Sequence, residues 1–466
     1  MNVGTLGREN LRQVSHLHRN RMRGWSTGQG SWLRSPTLAT SFAIGVVTLV
    51  LRLSYEASSP TDRVGARYVS GSRRFDVTRH SPTAPGSWLY VEAGHALHVV
   101  TGMSAVHSLV LLAALLSAAA AALTCVAGTA LGGRWVGLAA GGFVASTPVS
   151  WFAGSTVSTY SIDAFLGAFL LVLARRARPY RAHGAVAVAA LGLGAGVRLS
   201  VIPAFVLLVA IVVVASVRTV GQLLTVFLAA AASVAAWLVP LVVDQPGGLH
   251  AWLHAVHSQV SAAAHTSSVF VAPSSGAVTN VGTFGAWSLV TLGPVIVVAV
   301  LGIVVLAVAR LATRQPGGNA SLRIWSATTE PGDRIERPWY QSTGALLTAA
   351  VVPPVAVVTL GQFTAGGAVL SYLVPATILF LLPVARLVHH RARGVRRTAA
   401  VVATVLVVGA MAVNIQRFVA APGILPATVA RHHPGLWITQ ARYQAPYADT
   451  ADTIRATDRR GGPVTT

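Results

Sequence analysis

The sequence predicts an all-α, polytopic integral membrane protein with about eleven transmembrane helices. Three observations predict it. The chain of 466 residues is 53% hydrophobic but only 10% charged, whereas a soluble domain carries about 25% charged residues. Its mean hydropathy is +0.62, and the apolar residues gather in runs of roughly 18–25, the length a helix needs to cross the hydrocarbon core. The basic residues stand in the short connections between those runs. A water-soluble chain of this length would divide into several domains with polar surfaces, and the charge to cover them is missing.

The elements follow in order. Residues 1–36 form a basic arm with Arg8, Arg12, Arg19, Arg21 and Arg23, expected on the cytoplasmic side. The membrane domain covers 37–415. Its first run spans Thr37 to Ser54, begins only after that long basic arm and is not cleanly followed by an A-x-A-like cleavage site, so it is expected to be a span and not a cleaved signal peptide. A first outer loop, 55–104, opens polar and closes with an amphipathic stretch from Gly86 to Val100, expected along the membrane surface. Further runs fall near Ala105–Val126, Trp135–Phe152, Thr156–Ala174, Gly184–Leu199, Ile202–Val217 and Gly221–Val243. After a second outer segment, 244–286, they continue near Trp287–Leu311, Gly344–Leu360, Ala368–Val388 and Ala399–Val413. Residues 416–466 form an extracytoplasmic tail. The runs on either side of Pro203 could also be one kinked helix, which would reverse every later connection.

Arginine placement decides between these topologies. All 35 basic residues are arginine. Eleven spans place Arg134, the Arg175–Arg181 cluster, Arg218, the Arg310–Arg337 loop and the Arg386–Arg397 cluster inside, and leave the arginine-free stretch Asp244–Ala286 outside, as the positive-inside rule requires. The chain is thus expected in the cell membrane with its N-terminus cytoplasmic and its C-terminus extracytoplasmic. Arg63, Arg67, Arg73, Arg74 and Arg79 in the first outer loop depart from the rule and suit an anionic substrate. A net charge of +22 spread over such loops points to lipid headgroups as partners, not to nucleic acid. Cys125 is the single cysteine, which excludes an intrachain disulfide framework.

With 13 acidic residues in all, each can be weighed. Glu56, Asp62, Asp76, Glu92, Asp163 and Asp244 converge on the outer face. Asp62 follows the first span by about two helical turns, where a carboxylate can serve as general base; the structural alternative is a loop aspartate paired with Arg63 or Arg67. Arg198 stands near the outer end of its span. An intramembrane arginine is costly and usually faces a cavity or a partner, and its fork suits phosphate; a salt bridge to Asp163 is the structural alternative. His250, His254 and His257 share one helical face, more in keeping with an amphipathic surface helix than with a metal site. No metal ligand set emerges, and no phosphate-binding or dinucleotide-binding loop is present.

The stretch from Phe75 to Val91, with Asp76, His80, Pro82, Pro85, Gly86, Leu89 and Tyr90, resembles a signature of bacterial multispanning GT-C-type glycosyltransferases related to protein O-mannosyltransferases. The family signature reads Phe-Asp-x-x-x-His-Gln-Pro-His-Pro-Pro-Gly-Tyr-Pro-Leu-Tyr-Val. Asp62 matches an aspartate that opens the same loop. Gly194 to Ser200, around Arg198, resembles the family's Gly-x-Arg-x-Ser span end. Gln245 to Trp252 resembles a Ser-Gly-Gly-x-x-x-Tyr segment, and Gln362 followed by Tyr372 and Pro375 a Gly-Gln-Pro-Gly-Tyr segment. Thr83, Ala84, Ser87 and Trp88 depart from the signature. The resemblance implies a GT-C-like fold and transfer of a sugar, of hexosyl or mannosyl type, from a polyprenyl-phosphate donor at the extracytoplasmic face. It implies Asp62 as the catalytic carboxylate, and Arg198, Asp76, His80, Asp163, Tyr90 and Gln362 as substrate-binding residues. Sugar, acceptor and metal requirement stay open. A transporter or lipid flippase, or a catalytically diverged membrane protein, are the alternative readings.

Overall fold

The computed structural model describes residues 36–267, 275–312, 338–361, 369–388 and 393–419. Among these the regular structure is helical, with one isolated bridge between Asp76 and Ser81. The first span is α1, Pro36–Ser54. The following loop carries two short helices, α2 (Arg63–Gly71) and α3 (Trp88–Thr101), with a single 3-10 turn, Val77–Arg79, between them. Then come α4 (Ala105–Gly132), α5 (Arg134–Ser146), α6 (Pro148–Ser155), α7 (Ser161–Arg176), α8 (His183–Val197), α9 (Val201–Ser216) and α10 (Val220–Asp244). The remainder is α11 (Gly248–Ser267), α12 (Ser275–Ala312), α13 (Thr343–Ala356), α14 (Leu370–Val388) and α15 (Arg393–Val419).

Among the described residues every apolar run read from the sequence overlaps one or two helices, although the run expected from Thr156 becomes helical only at Ser161, and not every helix has spanning length. Five described stretches are long and apolar enough to cross a membrane: Thr37–Ser54, Ala105–Gly132, Val220–Asp244, Trp287–Val305 and Thr343–Leu360. The run expected over Trp135–Phe152 is divided into α5 and α6, bent by 57°. Pro148 explains the break, because it cannot donate to the preceding turn. Counted together, α5 and α6 bring the total to six. His183–Val197, Val201–Ser216, Leu370–Ala385 and Ala400–Gln416 are apolar but shorter. The runs around Pro203 are two helices: α8 and α9 pack along each other across the Arg198–Ser200 turn, so they form a hairpin.

Helix α4 is the hub, packed against α1, α3, α5, α6 and α7. Small residues permit the close approach. A Cβ on Gly137 of α5 would fall 2.0 Å from Thr129 Oγ1 and 2.4 Å from the Cys125 carbonyl, both on α4. Such small-residue contacts replace the hydrophobic drive that lipid removes. Around the bundle, α1 exposes Phe42, Val46, Val47 and Val50, α10 exposes Leu223, Leu224, Phe227 and Leu228, and α15 exposes Val401, Val402, Val405 and Val408. These faces suit lipid, not water.

The two ends of the bundle differ in charge. One end joins the 55–104 loop, the α6–α7 and α8–α9 turns and the α10–α11 junction; every carboxylate among the described residues lies there: Glu56, Asp62, Asp76, Glu92, Asp163 and Asp244. That end also carries Arg63, Arg67, Arg73, Arg74, Arg79 and Arg198, whereas the opposite end gathers Arg134, Arg175, Arg176, Arg178, Arg181 and Arg218 without a described carboxylate. There Arg175 donates to the carbonyls of Ala130 and Gln341, and Gln341 donates to that of Ala177.

Arg52, in the last turn of α1, is fully buried. Its Nε donates to Ser117 Oγ at 3.1 Å and its Nη2 to the Ala145 carbonyl at 2.8 Å. Ala145 lies in the last turn of α5, whose carbonyls lose their helical partners at the Pro148 break. Arg52 therefore caps that end from another helix, and the negative end of the α5 dipole offsets its charge.

Candidate functional site

The site forms where the 55–104 loop meets the α6–α7 and α8–α9 turns. Asp62 is the N-cap of α2 and accepts from the Gly65 amide at 2.6 Å. The residue is exposed, yet its carboxyl group is closely surrounded by protein. Desolvation by the surrounding protein raises its carboxyl above the ordinary range, outweighing the amides of Gly65 and Val64, which pull it down. A Cβ on Gly65 would meet both Asp62 Oδ1 and the Val157 carbonyl at 3.2 Å, so the α6–α7 turn passes directly beside this carboxylate.

That turn links Asp62 to the arginine. Ser158 donates its amide to Tyr90 Oη at 3.2 Å, and Tyr160 lies beneath Arg198, with the guanidinium carbon 4.0 Å from the ring centroid. Arg198 is the C-cap of α8 in extended conformation. Its Nη1 is bonded to Asp163 Oδ2, in the first turn of α7. The Asp163 side chain is 4% exposed and that of Arg198 is 19% exposed. No other hydrogen bond of the guanidinium occurs among the described residues, so Nε and Nη2 remain able to meet an anion.

Tyr68 and Tyr90 close the floor, with rings edge to face at a centroid distance of 5.6 Å. Tyr68 Oη is 3.2 Å from Ser87 Oγ. Tyr90 is 2% exposed, and its hydroxyl donates to the Leu109 carbonyl at 2.9 Å while accepting from Ser158. Burial pushes its phenol well above the usual range, so it stays protonated and holds the wall.

Asp76 has a different place. It is buried, and its Oδ1 accepts from Thr78 Oγ1, the Thr78 and Arg79 amides and Gln245 Nε2. Gln245 Oε1 in turn accepts from the Val77 amide at 2.9 Å. Burial raises the Asp76 carboxyl, but these donors outweigh it and hold it below the ordinary value. Trp88 Nε1 donates to Asp244 Oδ2 and Trp252 Nε1 to the Pro85 carbonyl, each at 3.0 Å. Together these bonds fasten the loop to the α10–α11 junction.

The structure thus gathers Asp62, Tyr90, Asp163 and Arg198 around the α6–α7 turn, places Asp76 in the knot that fastens the loop to the α10–α11 junction, and leaves His80 exposed at a left-handed turn with φ 58°. Gln362 lies outside the described residues. His250, His254 and His257 are exposed on α11. No group of three or more metal-ligating side chains able to hold an ion occurs among the described residues. Sequence reasoning misses Tyr160, Tyr68 and Gln245 as site residues. Tyr160 has a usable signal, since it stands three residues before Asp163 and shares its helical face.

Two solved structures resemble the chain. One is ArnT from Cupriavidus metallidurans bound to undecaprenyl phosphate, 14% identical over 91% of this chain and 80% of that one, with a TM-score of 0.46. The other is ArnT from the same organism in the apo state, 15% identical over 89% and 78%, with a TM-score of 0.42. At that identity and score the likeness decides neither fold family nor activity. No family model matches the chain, and no curated protein does.

Proposed function

We propose that this membrane protein is a GT-C-type glycosyltransferase that moves a sugar from a polyprenyl-phosphate donor to an acceptor at the extracytoplasmic face. The observation that carries the reading is the pairing, across the α6–α7 turn, of an accessible carboxylate with a partly buried guanidinium. The order of motifs around Asp62, the Phe75–Val91 loop and Arg198 supports it. The end of the bundle that gathers arginines without a described carboxylate would face the cytoplasm, which puts the site on the other side, within reach of a lipid-linked donor.

In this mechanism Arg198 receives the donor phosphate through Nε and Nη2, while Asp163 and Tyr160 hold the guanidinium in place. Asp62 takes the proton of an acceptor hydroxyl or amine. The acceptor attacks the anomeric carbon as the bond from that carbon to the phosphate oxygen breaks. The electron pair leaves with the lipid phosphate, whose charge Arg198 stabilises. A raised Asp62 pKa strengthens the base. Tyr90 and Asp76 shape the site, and His80 stands at its approach.

The test is transfer of radiolabelled sugar from polyprenyl-phosphate donors by membranes carrying wild type, Asp62→Asn or Arg198→Ala. Transfer by wild type that both variants lose at equal membrane levels supports the assignment. Transfer retained in both sinks it.

A further inference from the structure

A second feature lies apart from the Asp62 site. A cleft of about 330 Å³ opens at the same end of the bundle and is lined by Leu53, Glu56, Met103, Ser104, His107 and Leu111. His107 Nε2 lies 3.3 Å from Glu56 Oε1. Its other ring nitrogen, Nδ1, is 2.5 Å from Ser104 Oγ. Carboxylate, imidazole and hydroxyl thus form one chain of contacts at the rim, and the imidazole and carboxylate stay partly exposed, at 42% and 32%.

Below the rim the walls are apolar and continue onto lipid-facing helix surfaces. On α1, Val46, Val50 and Leu53 follow each other at helical spacing, with Val46 and Val50 exposed. On α4, His107, Leu111 and Leu115 do the same at steps of four, and Leu115 is 45% exposed. The two helices pack against each other. The result is a groove with a hydrocarbon floor that faces lipid and a polar, ionisable cap at the end that carries the loop.

We propose that this groove holds a membrane phospholipid with a primary-amine headgroup. The tails lie along Val46, Val50, Leu111 and Leu115. The ammonium takes the place of the imidazole on Glu56 and shares its remaining donors with Ser104 Oγ. His107, released from Glu56, faces the lipid phosphate. A carboxylate in the cap rejects a purely anionic headgroup, and a quaternary amine lacks the N–H donors that Glu56 and Ser104 accept. The site is independent of the glycosyltransferase reading.

The experiment is native mass spectrometry of the full chain, purified in mild detergent and mixed with phosphatidylethanolamine, phosphatidylcholine or phosphatidylglycerol. Wild type retains phosphatidylethanolamine over the other two by about tenfold, the worth of one charge-assisted hydrogen bond. Glu56→Gln removes that preference, and Glu56→Asp restores part of it. Leu111→Trp fills the groove and lowers retention of every lipid. If Leu111→Trp fails to fold, the Glu56 pair decides alone. Equal retention of the three lipids by wild type, preference for phosphatidylcholine or phosphatidylglycerol, or a preference that survives Glu56→Gln overturns the proposal.

Discussion

Arg198 lies over the face of Tyr160 at 4.0 Å while its Nη1 is bonded to Asp163. An aromatic face and a carboxylate together fix the plane of the guanidinium. The remaining donors are then presented as a pre-oriented fork, which is what phosphate recognition needs. Arg198→Ala should lower transfer by about 10²–10³-fold, the usual loss for one preorganised charge donor. Arg198→Lys should rescue little, since an ammonium has no fork. Tyr160→Leu leaves the charge and removes the platform. It should raise KM for the donor more than it lowers kcat, and steady-state kinetics with varied donor checks this.

Asp62→Asn is a clean test of charge. Asparagine keeps a side-chain oxygen to accept the Gly65 amide, so the cap of α2 survives and only the base is lost. Transfer should fall by about 10²–10⁴-fold with an unchanged thermal midpoint. The pH profile supplies a second reading. The base must be deprotonated, and desolvation raises its pKa. The acid limb of kcat/KM should therefore lie above the ordinary aspartate value of about 3.9, with activity lost as pH falls through it. An acid limb at or below that value would remove Asp62 as the base.

Asp76 should act on stability first. Its folded pKa is depressed, the donors of Thr78, Gln245 and Arg79 outweighing burial. Its contribution is therefore present above the unfolded value of about 3.9 and is lost as pH falls through the folded pKa. Asp76→Ala should cost about 1–3 kcal/mol, the penalty for leaving the buried Gln245 amide and the part-buried Thr78 and Arg79 donors without their acceptor, and should flatten the acid side of the stability profile. Gln245→Ala should share part of that loss. The double variant should lose less than the sum of the two, because both residues belong to one network. Thermal unfolding in detergent from neutral pH downward measures all three.

The helical runs are legible because hydropathy is local: a run long enough to cross lipid announces itself. The bend at Pro148 carries its own signal in the missing amide. Asp62, Asp163 and Arg198 can be singled out because charges in so apolar a chain are few. The roles of Tyr90 and Asp76 cannot be read, since they depend on partners far along the chain. Tyr90 spends its hydroxyl on Leu109 and Ser158, and Asp76 meets Gln245 across 169 positions. Arg52 hides within the first span. Its reason for being there is a helix end on α5, which no spacing within α1 reveals.

Arg52 gives a further prediction. Its Nε and Nη2 hold Ser117 and the Ala145 carbonyl inside the bundle. Arg52→Met fits the apolar surroundings and keeps most of the volume, but it leaves the end of α5 uncapped beside the break. The loss should be about 1–3 kcal/mol, the cost of leaving a part-buried carbonyl unpaired, well short of what stranding a buried charge would cause. Ser117→Ala removes only the weaker partner and should change the midpoint little. A thermal midpoint for Arg52→Met at or above wild type would show that the arginine is tolerated at this helix end and does not cap it.

Gly137 tests the packing that holds the hub together. Its Cα side meets α4 so closely that a methyl group would overlap Thr129 Oγ1 and the Cys125 carbonyl. Gly128 faces it in turn, and a Cβ added to Gly128 would lie only 2.9 Å from Gly137 Cα. The Thr129 hydroxyl is already committed to the Cys125 carbonyl at 2.7 Å, so it cannot swing away without giving up that bond. Gly137→Ala must therefore push α5 off α4, with a loss of about 1–3 kcal/mol, the usual range for overpacking a close-packed interior. Gly409 of α15 is the control: a Cβ there meets nothing within 4 Å, and Gly409→Ala should be neutral or slightly stabilising, as alanine is the better helix former. Comparable thermal midpoints for the two variants would mean that α4 and α5 are not held by this contact.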